Sequence, residues 1–261
     1  MRTFGFGGGV QSMAVLVLTA QRKLHYDYFL FANVGDDSEE PGTLRYFEEY
    51  AKPWAEEFGI QLIEVRKTMA DGTLETVLGR IERTRKSVVI PAYMNNSAPA
   101  RRVCTSDFKV GVIAKWLKEH GATADNPATT GLGISLDEMQ RMKDSGIAWQ
   151  VLEYPLIDLR LSRHHCEAII AEAGLPVPPK SACWFCPHHK VREWRQMAIR
   201  TPELFAKACA VEELINRKYE DTGDTYHLHR SKRPLSEVVA TSTADMFEAD
   251  DDNCESGYCM T

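Results

Sequence analysis

The chain lacks any run of the ~18 apolar residues that a membrane-spanning helix requires, although 44% of its 261 residues are hydrophobic. A helical membrane protein is therefore not expected, and no membrane partner is called for. No GxxxxGK[ST] occurs, which excludes a Walker-type phosphate loop. Gly5 and Gly7 begin a GxGxxG, but Val10 stands where the last glycine belongs, so the dinucleotide fingerprint is incomplete. There is no internal repeat, and no low-complexity segment apart from an acidic end. No secretory leader is expected, because Gly7, Gly8 and Gly9 break the only candidate apolar stretch near the N-terminus. The expectation is a cytoplasmic chain of ordinary globular composition, long enough for a sizeable core. Structural disulfides are not expected there, so the seven cysteines read as metal ligands, thiol chemistry or core packing.

Charge is low overall but unevenly placed. Glu248, Asp250, Asp251, Asp252 and Glu255 crowd the last fifteen residues; without these five acids the net charge moves from −6 to −1. Between Arg80 and Lys109, seven bases face only Glu82 and Asp107, a local +5. That stretch suits a phosphate-rich ligand or forms a solvated face. A body so near neutrality argues against tight non-specific duplex binding, while the basic stretch leaves room for a short piece of nucleic acid.

Hydrophobic spacing predicts an alternating order. Residues 3–6 read as a buried strand and 12–21 as a helix. Residues 26–33 (YDYFLFAN) read as a strand, 43–58 as a helix kinked at Pro53, and 61–65 as a third strand. A parallel sheet with helices on both faces follows. Further helices are expected at 109–118 and 137–143, with strands at 127–130 and 151–154. From residue 162 onward the chain reads as helical and rich in His, Cys and Pro. The expected organisation is an α/β nucleotide-binding domain over 1–160, a helical metal-binding region over 161–246 and an acidic tail over 247–261.

Between the first strand and the first helix stands Gly7-Gly8-Gly9-Val10-Gln11-Ser12. Strand, glycine turn and helix N-terminus together make an anion site, because successive amides point inward and glycine permits close approach. Ser12 would add a hydroxyl donor. Asp36 and Asp37, at the end of the second strand, should face the same crevice, since ligands of open α/β sheets sit at the carboxyl ends of strands. Cys183-Trp184-Phe185-Cys186 is a C-x-x-C that can bind a metal or form a redox disulfide; its late position after GLPVPPKSA favours metal. Two ligands are insufficient, so others must come from elsewhere. Cys166, on an expected helix, is either a ligand or a core residue, and Cys209 reads as core. His164, His165, His188 and His189 read as solvated or phosphate-facing rather than as ligands.

Four segments carry a family resemblance. GGGVQS resembles the SGGxDS signature of PP-loop ATP pyrophosphatases, with Gly7 for the first Ser and Gln11 for Asp. FANVGDDSEEPGT resembles the second-strand loop of the PAPS reductase branch. GLGISLDEMQR resembles its G-x-R-x-x-E-x-x-R segment, with Glu138 and Arg141 in place and Ser135 for the usual Arg. Residues 154–187 resemble its run ending in a C-x-x-C. Over nearly its full length the chain looks like the PAPS-reductase-like proteins of bacteriophages, within the adenine nucleotide alpha hydrolase superfamily.

The resemblance implies a Rossmann-like (HUP/PP-loop) fold and an adenine nucleotide, ATP or PAPS/APS, with magnesium as its companion. Gly7, Gly8, Gly9, Gln11, Ser12, Asp37, Gly133, Glu138 and Arg141 would bind it. Asp36 and Lys109 would serve catalysis beside Cys254 and Cys259, which match the mobile nucleophilic tail of PAPS reductases. Cys104 falls where iron–sulfur members carry a cluster cysteine beside a following lysine. With Cys166, Cys183 and Cys186 it would hold a 4Fe-4S cluster or, alternatively, zinc. Three functions follow: an ATP-dependent sulfurtransferase acting on a nucleobase or other acceptor, a sulfonucleotide reductase, or a non-catalytic nucleotide-binding factor with a structural metal. A homo-oligomer is compatible with each.

Overall fold

The computed structural model describes residues 1–83 and 87–241. β1 (Arg2–Phe6) runs into α1 (Val10–Ala20). β2 (Tyr28–Asn33) is followed by α2 (Pro41–Tyr46) and α3 (Lys52–Glu57), then β3 (Gln61–Arg66). α4 (Val77–Arg83), β4 (Tyr93–Met94), α5 (Val103–Thr105) and α6 (Gly111–Glu119) lead to β5 (Ala128–Leu132) and β6 (Gln150–Glu153). α7 (Pro155–Asp158), α8 (Arg163–Glu172), α9 (Val191–Arg200), α10 (Pro202–Lys218), β7 (Tyr226–His227) and α11 (Leu235–Thr241) follow.

Five strands form one parallel sheet in the order β3-β2-β1-β5-β6, the Rossmann-like arrangement expected of alternating strands and helices. Side chains alternate across it with the period of two that a strand imposes. Phe4, Phe6, Phe29 and Phe31 point to one face, against Met13–Leu18 of α1, Phe47, and Cys166 and Ile170 of α8. Leu30, Ala32 and Val65 point to the other face, against Val112, Ile113 and Leu117 from α6. Both faces are covered, so Phe29–Ala32 of β2 form an unbroken apolar run. A third core joins Val77, Ile81, Ile90 and Phe108 to Trp194, Ala208 and Val211 of the C-terminal helices. There β4 and β7 pair antiparallel.

Three elements depart from the sequence pattern for local reasons. The helix expected over 43–58 carries a π-turn at Phe47–Ala51, where the Lys52 amide reaches back to the Phe47 carbonyl. Pro53 has no amide to donate and crowds the preceding turn, and the wider turn relieves that crowding. The helix expected over 109–118 is present and starts earlier, at Val103, passing through a π-turn at Ser106–Val110 before it continues to Glu119. Residues 137–143 do not form an α-helix. A 3₁₀ turn spans Leu136–Arg141, with Glu138 at φ −120° and ψ 17°. Asp137 there accepts from the Ser135 hydroxyl (3.3 Å) and the Arg163 amide (2.5 Å), and such side-chain bonds compete with a helix.

Candidate functional site

Strand order reverses between β1 and β5, because β2 and β3 lie on one side of β1 and β5 and β6 on the other. A crevice opens at such a switch point, outside the carboxyl ends of the strands. The glycine loop after β1 forms one wall. Gly8 sits at φ +74°, and a Cβ there would lie 2.9 Å from Thr43 Cγ2. Gly7 is different: a Cβ on it would meet nothing within 4 Å. Ser12 is engaged by the loop itself. Its hydroxyl donates to the Gly9 carbonyl (2.9 Å) and accepts from the Gly9 amide (3.1 Å), closing the first turn of α1.

The segment after β5 forms the other wall. A Cβ on Gly133 would come within 3.3 Å of Gln11 Cβ, so the segment lies hard against the start of α1. Gln11 Nε2 reaches Ser135 Oγ and Glu138 Oε2, both at 3.5 Å, and Arg163 reaches Gln11 Oε1 at 3.5 Å. Glu138 and Arg141 form an almost fully buried ion pair at 2.9 Å. The structure thus brings Gln11, Gly133, Glu138 and Arg141 together, across a gap of more than a hundred residues.

The loop after β2 lies at the correct end of the sheet, but its aspartates are engaged. Asp36 is held by Arg66 (2.6 and 2.9 Å) and Asn33 (2.8 Å); the Arg66 hydrogen bonds keep its carboxyl below the usual range. Asp37 accepts from Thr76 (2.9 Å) and Ser38 (2.7 Å). The carboxylate turned inward from this loop is Glu39, which sequence reasoning missed. It is 1% exposed, neither oxygen has a hydrogen-bond partner, and Lys109 Nζ stands 3.9 Å away. Burial raises its pKa, partly offset by Lys109. The only signal in the sequence was the second acidic pair in DDSEE, which does not distinguish Glu39 from its neighbours.

Glu39 also pairs with the C-x-x-C. Residues 38–40 and 182–184 run antiparallel: the Glu40 amide donates to Ala182 (3.0 Å), the Trp184 amide to Ser38 (3.2 Å), and the Trp184 indole to the Asp37 carbonyl (2.7 Å). One residue upstream of Ala182, the Ser181 hydroxyl donates to the Gly7 carbonyl. The thiol loop is therefore bonded directly to the glycine loop. Cys183 lies within electrostatic range of Cys186, Cys104, Glu39 and Lys109, and burial pushes its thiol well up.

Cys166 is placed apart from these three. It is fully buried between α1 and α8, its thiol pushed up to about 12 by burial, and its charged neighbours are Asp137, Arg163, Glu167 and Glu138. A four-cysteine cage is thus not assembled. Among the described residues no group of three or more His, Cys, Asp or Glu side chains is set to hold a metal ion. Cys254 and Cys259 lie outside the described residues, as does the rest of the acidic tail.

The basic stretch is partly neutralised within the chain. Arg80 pairs with Glu75 and with Asp107 (2.6 Å), and Arg83 pairs with Glu75. Behind the thiol loop, Glu193 accepts from Lys180 (2.7 Å) and the Lys190 amide (2.7 Å), with His189 Nδ1 at 3.4 Å. Burial opposes its charge, but the His189 and Lys180 contacts win and bring its carboxyl down to about 2. A depressed carboxylate stabilises the fold above its ordinary pKa and ceases to do so as pH falls through the folded value. From a shift between 4.5 and about 2, the contribution is about 3 kcal/mol at neutral pH. Glu193→Gln should lose stability on that order at pH 7, in urea titrations. The difference from wild type should shrink steadily between pH 4.5 and pH 2; a difference independent of pH would contradict the assignment.

No family model and no curated protein matches the chain. Among the described residues, no helix is long and apolar enough to cross a membrane.

Proposed function

We propose that this chain is a PP-loop-type enzyme that binds an adenine nucleotide in the crevice between the β1 and β5 loops and handles sulfur at Cys183, Cys186 and Cys104. One observation carries the reading: the Ser181 hydroxyl bonded to the Gly7 carbonyl joins the C-x-x-C to the glycine loop. Residues 174 positions apart in sequence are thereby in contact. An anion site alone would fit many proteins. A pair of thiols stitched onto it fits a nucleotide that is activated and then attacked by sulfur, with Lys109 as the group that counters the burial of Cys183.

In the ATP-dependent form, an acceptor oxygen attacks the α-phosphorus and pyrophosphate leaves. A persulfide on Cys183 or Cys186, loaded by an external persulfide donor, then attacks the activated carbon of the acceptor and AMP departs with the oxygen. The second thiol cleaves the S–S bond, leaving the sulfur on the acceptor and a disulfide on the protein. Gly7–Gly9 and the amino end of α1 offset the phosphate charge. Gln11 and Arg141 mark the opposite wall. Lys109 eases thiolate formation at Cys183, whereas Glu39 opposes it. Proton transfer between Glu39 and Cys183 would let the pair carry one negative charge rather than two. Cys166 takes no part.

The C-x-x-C also favours a second reading. One thiolate can attack the sulfur of a sulfonucleotide and expel AMP or its 3′-phosphate. The second thiol then displaces sulfite, leaving a disulfide, so that two electrons pass from the dithiol to sulfur. The test is incubation of the full chain with ATP and with sulfonucleotides under reducing conditions. AMP and pyrophosphate formed from ATP support the first reading, and sulfite release supports the second. Neither product, with tight nucleotide binding, reduces the protein to a nucleotide-binding factor. Truncation after Asp250 should leave nucleotide affinity unchanged and remove sulfur delivery if Cys254 and Cys259 carry it. Full turnover by the truncated chain would assign delivery to Cys183 and Cys186 instead.

A further inference from the structure

We propose that the cavity between α10, β7 and the start of α11 is a second ligand site, built for a small zwitterion of the α-amino-acid class. None of its lining residues belongs to the nucleotide crevice. Its volume is about 360 Å³, at the small end of ligand sites. At the space of a liquid water per ~30 Å³, this holds roughly a dozen non-hydrogen atoms.

The surface the cavity presents is mostly apolar, and the polar groups in its lining have most of their capacity used. Glu212 accepts from the Leu228 amide (2.7 Å) and the Leu235 amide (2.8 Å), so each oxygen has a partner. Asn216 exchanges both its functions with the Tyr226 backbone, each at 2.8 Å. His227 is the exception. It is 4% exposed and lines the cavity, and neither ring nitrogen has a hydrogen-bond partner. The Arg233 carbonyl approaches the ring as a hydrogen-bond acceptor and works against the lowering, but outside the geometry of a formed bond. Burial lowers the His227 pKa, so the ring is neutral and offers one donor and one acceptor. Leaving both unmet in a buried position is costly.

The rim decides the ligand class. Glu213 and Arg217, both exposed, stand four residues apart on α10 and so share a helix face. A purely anionic guest would meet Glu213, and a purely cationic one Arg217. A guest with both charges satisfies both, its carboxylate on the guanidinium and its ammonium on the carboxylate. A polar side chain would then reach His227. Thr225 and Pro234 close the remaining sides.

The test is calorimetric titration of the full chain with each free α-amino acid at millimolar concentration, with propionamide as a neutral control. At least one amino acid should bind, one per chain, and propionamide should not. Arg217→Gln, on the exposed rim, should weaken binding at least about tenfold and leave nucleotide affinity unchanged. His227→Phe should do the same, provided its thermal melt stays cooperative. No amino acid binding to the wild type would overturn the proposal, as would binding indifferent to Arg217→Gln or matched by propionamide.

Discussion

Gly7→Ala should leave the fold intact and weaken the nucleotide at least about tenfold, whereas Gly8→Val should damage both. The two neighbours differ in what a side chain meets. At Gly7 a Cβ finds open space, so stability should stay within about 0.5 kcal/mol of wild type. In the proposed nucleotide site, that open space is where phosphate oxygens approach the backbone. At Gly8 the backbone is left-handed and the Cβ would press on Thr43, which is itself fully buried. The left-handed conformation alone costs a branched residue roughly 1–2 kcal/mol. Displacing Thr43 would also disturb the side chains packed around it. Thermal melts and ATP calorimetry on both variants separate the effects. Gly7→Ala binding ATP like wild type would remove the loop from the ligand site.

Arg141→Met should be among the most damaging single changes away from the hydrophobic core. Arg141 and Glu138 are 6% and 5% exposed at their side chains and meet at 2.9 Å. Removing the cation leaves a buried carboxylate without its ion-pair partner, which costs about 3–5 kcal/mol. Replacing both partners is milder, because no charge is stranded. The double variant Glu138→Gln with Arg141→Met should therefore recover most of the loss in urea titrations. It should not recover nucleotide binding, since Gln11 would lose the wall that orients it. A single variant as stable as wild type would show that the pair is not what holds the segment after β5.

The pattern of the sequence reached the sheet and one wall of the site. β1, β2 and β3 were legible because their apolar runs are short and punctuated by glycine or acidic residues, and those of β1 and β2 are also aromatic. Gly133, Glu138 and Arg141 were named only through family resemblance, and the structure places them against Gln11. β4 and β7 were not legible. Each has two residues, too few to show a period, and they pair across more than a hundred positions. The inward turn of Glu39 was also hidden. Its neighbours Asp36 and Asp37 look equally suitable in sequence, and the choice is made by Arg66 and Thr76, which claim the aspartates from elsewhere. Ser181 and Lys109 matter for the same reason: their partners Gly7 and Glu39 are remote in the chain. Cys166 was ambiguous because a cysteine on a helix serves packing or ligation equally well in sequence. The structure buries it in the core between α1 and α8.

The central claim is that the crevice between the β1 and β5 loops is where a nucleotide sits. Photocrosslinking with 8-azido-ATP, followed by peptide mapping, tests it most directly. The label should appear on peptides containing residues 7–12 or 133–141, and excess unlabelled ATP should prevent it. Labelling confined to other peptides, or labelling that ATP does not compete away, would contradict the account.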